Sequence, residues 1–304
     1  MKKEERMSKE IFLCSISNVS SGGCSEDCSY CTQSARYDTG VPRYKYKDIQ
    51  EVIKEAKELK KYGMVGFCLV TSGRGLDEKK CEYIASLAMG LKKEISDIHL
   101  IACCGRADLD KLKYLKKSGI DSYNHNLETA QSFFSQICTT HTWEERFETC
   151  ENALRADLGL CSGGIFGLGE GWNHRIELLK ALRELSPHSM PINFFIPNPN
   201  LPIKQEKMSV QEALECITLS REYLPHARLM IAGGREVVFG ENQKCMFDSG
   251  IDAIVLGNYL TTTGESPKRD LDMLKSYGLG VIEAKRGVSM LEGYGLKIAK
   301  ECRE

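Results

Sequence analysis

Little in this sequence points to a large partner. Forty-one Lys and Arg stand against 42 Asp and Glu, leaving a net charge of -1, so no one-signed field draws in nucleic acid or a lipid surface. No apolar run reaches the roughly 18 residues that cross a bilayer, and the start, MKKEERMSKE, lacks the apolar stretch of an export signal. A cytoplasmic protein acting on small molecules is expected, with no nucleic acid and no membrane among its partners. Nor does a Pro/Gly-rich or low-complexity linker divide the 304 residues. Because α/β barrels routinely outgrow an ordinary domain, one domain over 1–304 is expected.

Cysteine, by contrast, is plentiful: there are 14. Disulfide frameworks belong to short secreted chains, so in a reducing compartment these thiols stay available for metal. Free Cys also packs as a small hydrophobe, and Cys14, Cys81, Cys138, Cys150, Cys216, Cys245 and Cys302 are read in that way.

Segments rich in β-branched residues alternate with amphipathic ones that open at Asp, Ser or Thr and stop near Gly, the pattern of βα units. Strands are predicted near Phe12–Ser17, Val65–Thr71, His99–Cys103, Asp121–His125, Gly159–Gly164, Met190–Phe195, Ala227–Ala232 and Ala253–Gly257. Helices are predicted from Asp48 to Gly63, with Glu51 placed for a capping box. Others fall near Asp77–Lys93, Asp108–Lys117, Thr142–Leu158, Asn173–Leu185, Ser209–Tyr223, Glu241–Ser249 and Lys268–Tyr277. Eight such units close naturally as an α/β fold of the single (β/α)8 TIM-type barrel, whose functional groups sit at the carboxyl ends of strands. The unusual residues Cys68, Cys103, Asn124, Asn126, Cys161, Asn193 and Arg235 fall at those ends. Residues 278–304 form a charged tail expected to add no further βα unit.

After the first strand, Cys24, Cys28 and Cys31 have the spacing C-x3-C-x2-C, preceded by Gly22 and Gly23. Three is the informative number. A structural zinc site takes four protein ligands, and a simple electron-transfer cluster takes four Cys; here the next Cys along the chain is Cys68. Three thiolates leave a coordination position open, as a catalytic centre requires. Thiolates also suit iron–sulfur chemistry, both partners being soft. Gly163, Ile165, Gly167 and Glu170 form a second pattern, G-x-I-x-G-x-x-E, at the fifth strand; taken alone it reads as a glycine-rich turn.

Together these two patterns resemble the radical S-adenosylmethionine superfamily. The resemblance implies a βα barrel, a [4Fe–4S] cluster on Cys24, Cys28 and Cys31, and S-adenosylmethionine on the open iron as the source of a 5′-deoxyadenosyl radical. It places Tyr30 against the adenine, the Gly163–Ile165 backbone beside it, Asn126 and Glu128 at the ribose, and Arg146 at the carboxylate. Arg146 read without the family is a surface ion pair.

Longer runs (Cys28 to Tyr37, Tyr123 to Asn126, Cys161 to Ile165, Pro191 to Asn193 and Ala232 to Glu236) resemble the biotin synthase family, in consistent order over approximately residues 10–280. That family implies conversion of dethiobiotin to biotin and a [2Fe–2S] cluster as sulfur donor, held by Cys68, Cys103, Cys161 and Arg235. Spacing leaves Cys103 and Cys104 as alternatives; Ala102 before Cys103 matches the family pattern and favours it, and adjacent strand residues face opposite ways, so one alone reaches the interior. Asn124, Asn126 and Asn193 are expected at the ureido ring, to which amides offer both donor and acceptor. Thr261, Thr262 and Thr263 are expected at the carboxylate tail. A reductase or flavodoxin-type electron donor and a homodimer come from the family as well. Glu128 stands where the family has Asp, and His141 replaces an Arg and is given no catalytic role. The rivals are a hydrogenase-maturation or rearrangement enzyme of the same superfamily, an iron–sulfur carrier, and a Schiff-base lyase, for which no inward Lys stands out.

Overall fold

The computed structural model describes residues 9–283. Its strands are β1 (Glu10–Asn18), β2 (Gly66–Val70), β3 (His99–Cys103), β4 (Ser122–Asn124), β5 (Gly159–Cys161), β6 (Gly164–Phe166), β7 (Ser189–Phe194), β8 (Arg228–Gly233), β9 (Ala253–Leu256) and β10 (Gly280–Val281). Its helices are α1 (Ile49–Lys60), α2 (Glu78–Glu94), α3 (Leu109–Lys117), α4 (Gln131–Phe134), α5 (Trp143–Arg155), α6 (Trp172–Leu185), α7 (Val210–Tyr223), α8 (Arg235–Phe239), α9 (Lys244–Asp248) and α10 (Pro267–Ser276). The strands pair in parallel in chain order, and β9 returns to β1 with Phe12 opposite Ala253 and Ser15 opposite Leu256. The sheet is thus a closed parallel barrel of eight staves, one of them broken into β5 and β6.

The helices begin where the sequence supplies caps. Asp48, Asp77, Asp108, Thr142, Ser209 and Ser266 each accept a backbone N–H at the start of α1, α2, α3, α5, α7 and α10, satisfying donors the helix leaves open. The full capping box is at Thr142 and Glu145. The predicted strand Gly159–Gly164 is interrupted at Ser162 and Gly163, because Gly163 runs so close to β7 that a Cβ there would lie 2.0 Å from the Pro191 carbonyl oxygen. The tail is corrected at its start: Gly280 and Val281 form β10 beside Glu10 and Ile11 of β1. Cys302 lies outside the described residues.

Period-2 alternation splits the strand side chains into two layers. Leu13, Leu69, Leu100, Ala102, Leu229, Ile231 and Ile254 pack outward against the helices. Phe12, Cys14, Cys68, Ile101, Cys161, Met230 and Val255 pack against one another inside the barrel. That inner set includes Cys68 and Cys161, with Cys103 packed against it.

Burial also leaves a pH signature. His99, at the start of β3, is 9% exposed with Nε2 2.8 Å from Ser122 Oγ, and burial holds its imidazole down at about 4. A histidine depressed from about 6.5 contributes stability fully present above that pH and lost as pH falls toward 4. Linkage gives a loss of about 2 kcal/mol between pH 8 and pH 5. Urea unfolding at the two pH values should show it, and His99→Gln should reduce the difference by about that amount, the remainder coming from His125 and His188, which burial also depresses; an equal difference in the variant would assign the acid sensitivity elsewhere.

Candidate active site

The loop after β1 is folded by its own backbone. Gly22 and Gly23 both sit at φ 70, the left-handed region that costs glycine nothing, and turn the chain back. Cys24 N donates to Gln33 O at 3.1 Å, Ala35 N to Cys24 O at 2.7 Å, and Cys31 N to Cys28 O at 3.0 Å. Ser29 N donates to Ile137 O at 2.8 Å, tying the loop to the segment after α4. The three thiols share this one loop and act on one another: Cys31 is pushed up to about 11 chiefly by burial, with Cys24 adding to it, and Cys28 is raised chiefly by Cys138 and burial, with Cys31 adding to it. Cys28 is buried, while Cys24 and Cys31 are half-buried.

Beside the loop stand the residues expected at the nucleoside. Arg146, in the first turn of α5, is no surface ion pair: it and Glu128 are 13% and 12% exposed, with Nη2 2.9 Å from Glu128 Oε1. Arg146 Nε donates to Asn126 O at 2.7 Å. Glu128 takes φ 69, uncommon for a residue with a side chain, and its Oε2 is buried without a hydrogen-bond partner. Burial raises its carboxyl against the pull of Arg146. The loop and the broken stave are stitched together, since Gly163 N donates to Asn126 Oδ1 at 3.2 Å and Ile165 N to Glu128 O at 2.8 Å. Ile165 packs in the same apolar cluster as Cys28, Tyr30 and Cys31. Glu170 closes the glycine turn from within, accepting from Gly167 N at 2.9 Å, Leu168 N at 2.7 Å and Arg175 Nε at 2.8 Å.

Deeper in, Cys68, Cys103 and Cys161 share the inner cluster with Cys14. The neighbouring Cys103 thiol and burial together raise Cys68 far above an ordinary thiol. Cys104 faces the other way, into the layer under the helices, with Sγ 3.9 Å from Leu69 O. The alternation of β3 thereby separates the two candidates, and Cys103 is the inward one. Arg235 Nε donates to Tyr259 Oη at 3.4 Å, and Tyr259 packs against that inner layer. The fully buried Arg235 guanidinium pairs with Asp270 at 2.8 Å, Glu236 at 3.0 Å and Gln243 Oε1 at 3.0 Å. The cation that acts on Cys14 and Cys161 is Arg228 at the start of β8, whose guanidinium lies 4.1 Å from the Phe12 ring centroid.

At the barrel's carboxyl end, two amides keep unsatisfied acceptors. Asn124 Oδ1, at the end of β4, and Asn18 Oδ1, at the end of β1, are buried without partners. Together with Glu128 Oε2 they are polar atoms of the kind a ligand satisfies. Asn193 Nδ2 donates to Gly164 O at 3.2 Å. Thr261 Oγ1 accepts from Thr32 Oγ1 of the cysteine loop at 2.8 Å, and Thr262 O from Tyr259 N at 3.0 Å; Thr263 is exposed. Asn18 was missed because, in sequence, it is one more polar residue at a strand end.

Cys138 and His141 were missed as well. Cys138 Sγ lies 3.7 Å from Cys28 Sγ and 3.2 Å from His141 Nδ1. His141 in turn meets Glu26 Oε2 at 2.6 Å and Arg146 Nη1 at 3.2 Å. Among the described residues, Cys28, Cys138 and His141 are one group whose metal-ligating atoms all fall within 4.8 Å of one another. Cys138 is therefore more than core filling, though 110 residues of chain separate it from Cys28.

Comparison with known proteins agrees with this geometry. The radical SAM superfamily pattern matches residues 18–182, and that of the Biotin and Thiamin Synthesis associated domain matches residues 191–280. Among solved structures, methylornithine synthase superposes with a TM-score of 0.77 at 17% identity, covering 91% of this chain and 85% of that one. The FeFe-hydrogenase maturase of Carboxydothermus hydrogenoformans gives 0.77 at 18% identity, covering 89% and 67%. Such identities show the fold alone. Sequence relatives show the family. The biotin synthases of Helicobacter hepaticus and Helicobacter pylori (strain J99) are each 64% identical over 274 residues, covering 90% and 89% of this chain and 97% of each relative. The chain belongs to the biotin synthase family of radical SAM enzymes.

Proposed function

We propose that this enzyme converts dethiobiotin to biotin, with a [4Fe–4S] cluster on Cys24, Cys28 and Cys31 in the loop after β1 and a [2Fe–2S] cluster on Cys68, Cys103 and Cys161 inside the barrel. The observation that carries this reading is the presence of two separate thiol triads in one barrel, one in a loop of mixed exposure and one in the inner apolar layer. When bound, the first cluster supplies the electron that cleaves S-adenosylmethionine to a 5′-deoxyadenosyl radical, and the second supplies the sulfur.

The chain's own residues bind, orient and exclude water. Tyr30 and Ile165 offer apolar walls to the adenine, and Gly163 allows close backbone approach. Glu128 Oε2 is a ready acceptor for a ribose hydroxyl, while Arg146 holds positive charge for the methionine carboxylate. Asn124, Asn126 and Asn193 take the ureido ring, and Thr261, Thr262 and Thr263 the carboxylate tail. Arg235 takes the fourth position at the inner cluster by the family's pattern; its guanidinium is fully buried, and its Nε reaches Tyr259 Oη, which packs against the inner layer. A flavodoxin-type donor and a homodimer follow from the family. No helix among the described residues is long and apolar enough to cross a membrane.

Anaerobically reconstituted protein given reductant, S-adenosylmethionine and dethiobiotin should release biotin and 5′-deoxyadenosine. Formation of 5′-deoxyadenosine with any substrate but dethiobiotin would contradict the reading. Within the pocket, Asn193→Ala should weaken dethiobiotin binding by about 1–3 kcal/mol, the cost of leaving a buried polar group unpaired. Equilibrium binding measures this directly, and unchanged affinity would move the ureido site off β7.

A further inference from the structure

Cys138 and His141 have no part in the function proposed above, yet they link the cysteine loop to Arg146. The hydrogen bonds around them limit where each proton goes. Asp27 Oδ1 accepts from Cys138 Sγ at 3.3 Å and also from Thr139 N at 2.9 Å, Thr140 N at 3.2 Å and Thr140 Oγ1 at 3.0 Å, and its Oδ2 accepts from Thr139 Oγ1. Arg146 Nη1 donates to His141 Nε2, so the ring proton is on Nδ1, facing Glu26 Oε2 at 2.6 Å and Cys138 Sγ at 3.2 Å. With His141 a donor, the acceptors within reach of the Cys138 S–H are Asp27 Oδ1 at 3.3 Å and, once Cys28 has given up its hydrogen, Cys28 Sγ at 3.7 Å, within hydrogen-bond range for two sulfurs. In the cluster-free chain the Cys28 thiol donates across this contact; an iron on Cys28 takes that hydrogen's place, and Cys138 becomes the donor.

We propose that Cys138 is a positioning residue for the [4Fe–4S] centre: its S–H bonds to the Cys28 sulfur and raises the cluster's reduction potential, with His141 and Glu26 holding it in register. The proposal rests on the reading of Cys28 as a cluster ligand. Reduction places additional negative charge on the cluster and its thiolates, so a donor aimed at a ligand sulfur stabilises the reduced form more than the oxidised form. Hydrogen bonds to cluster sulfurs are among the main levers on such potentials. The contact is buried at both ends, with Cys28 8% and Cys138 3% exposed, where hydrogen bonds act at low dielectric. Arg146 completes the chain of bonds, so its charge reaches the cluster ligand through His141 and Cys138.

The test is a potentiometric titration of the full-length, anaerobically reconstituted enzyme without S-adenosylmethionine, monitored by the EPR signal of the reduced [4Fe–4S] cluster. Cys138→Val keeps an apolar side chain and removes the donor; it should hold wild-type iron yet be about tenfold harder to reduce, a midpoint about 59 mV more negative. Cys138→Ser, which keeps an O–H, should recover most of the shift. A wild-type midpoint in Cys138→Val overturns the proposal. Should that variant fail to load, Cys138→Ala is titrated in its place under the same criterion, and loss of the cluster from both variants with the barrel folded would make Cys138 a ligand and overturn it too. Cys28→Ala separates the two ideas: a cluster retained there refutes the ligand assignment, whatever Cys138 does.

Discussion

Replacing Cys28 by Ala is expected to abolish 5′-deoxyadenosine formation from S-adenosylmethionine while the barrel stays folded. Loss of an outer-shell partner of a metal site costs roughly 10–100-fold, and loss of one of only three protein ligands should exceed that and bring the product to background. The structure predicts little harm to the fold, because Cys28 packs in the small cluster around the loop rather than in the main core between sheet and helices. A typical single substitution costs about 1 kcal/mol, which for a chain of this size moves the thermal midpoint by no more than about 4 °C. Chromatographic assay of 5′-deoxyadenosine, paired with circular dichroism melting, reads both halves. Wild-type yield from a folded variant would remove Cys28 from the centre.

Cys161→Ala should fail differently. Cys161 ends β5 and is 4% exposed in the inner cluster with Cys68 and Cys103, so its removal should empty the sulfur-donor site and leave Cys24, Cys28 and Cys31 in place. The variant should still make 5′-deoxyadenosine, while biotin falls by more than the roughly 100-fold expected for a lost outer-shell group. Coupled products in the wild type and uncoupled ones in the variant would separate radical generation from sulfur supply. Biotin made at the wild-type rate would refute the donor site. Loss of both products is resolved by the same melting experiment, since a buried thiol removed from a barrel strand can disturb the strand itself.

How legible these features were depended on how local they are. The eight staves and most helix starts were readable because alternation and caps such as Asp77 and Ser209 act within a few residues. The break between β5 and β6 was not, because it comes from Pro191, nearly thirty residues away, pressing on Gly163. The first thiol triad lies within one short loop and declared itself by spacing. The second needed three strands and a barrel register to bring it together; alternation along β3, already readable beside Ala102, turns Cys103 inward and Cys104 outward. Cys138 and His141 carried no local signal, since their partners Cys28 and Glu26 come from the far side of the chain.

The central claim is that one barrel holds two different iron–sulfur centres, and Mössbauer spectroscopy on anaerobically reconstituted, iron-57-enriched protein tests it most directly because it counts both cluster types at once. The account predicts one [4Fe–4S] and one [2Fe–2S] cluster per chain, with Cys161→Ala losing only the second. A wild-type spectrum containing [4Fe–4S] alone, in protein that still makes biotin, would contradict it.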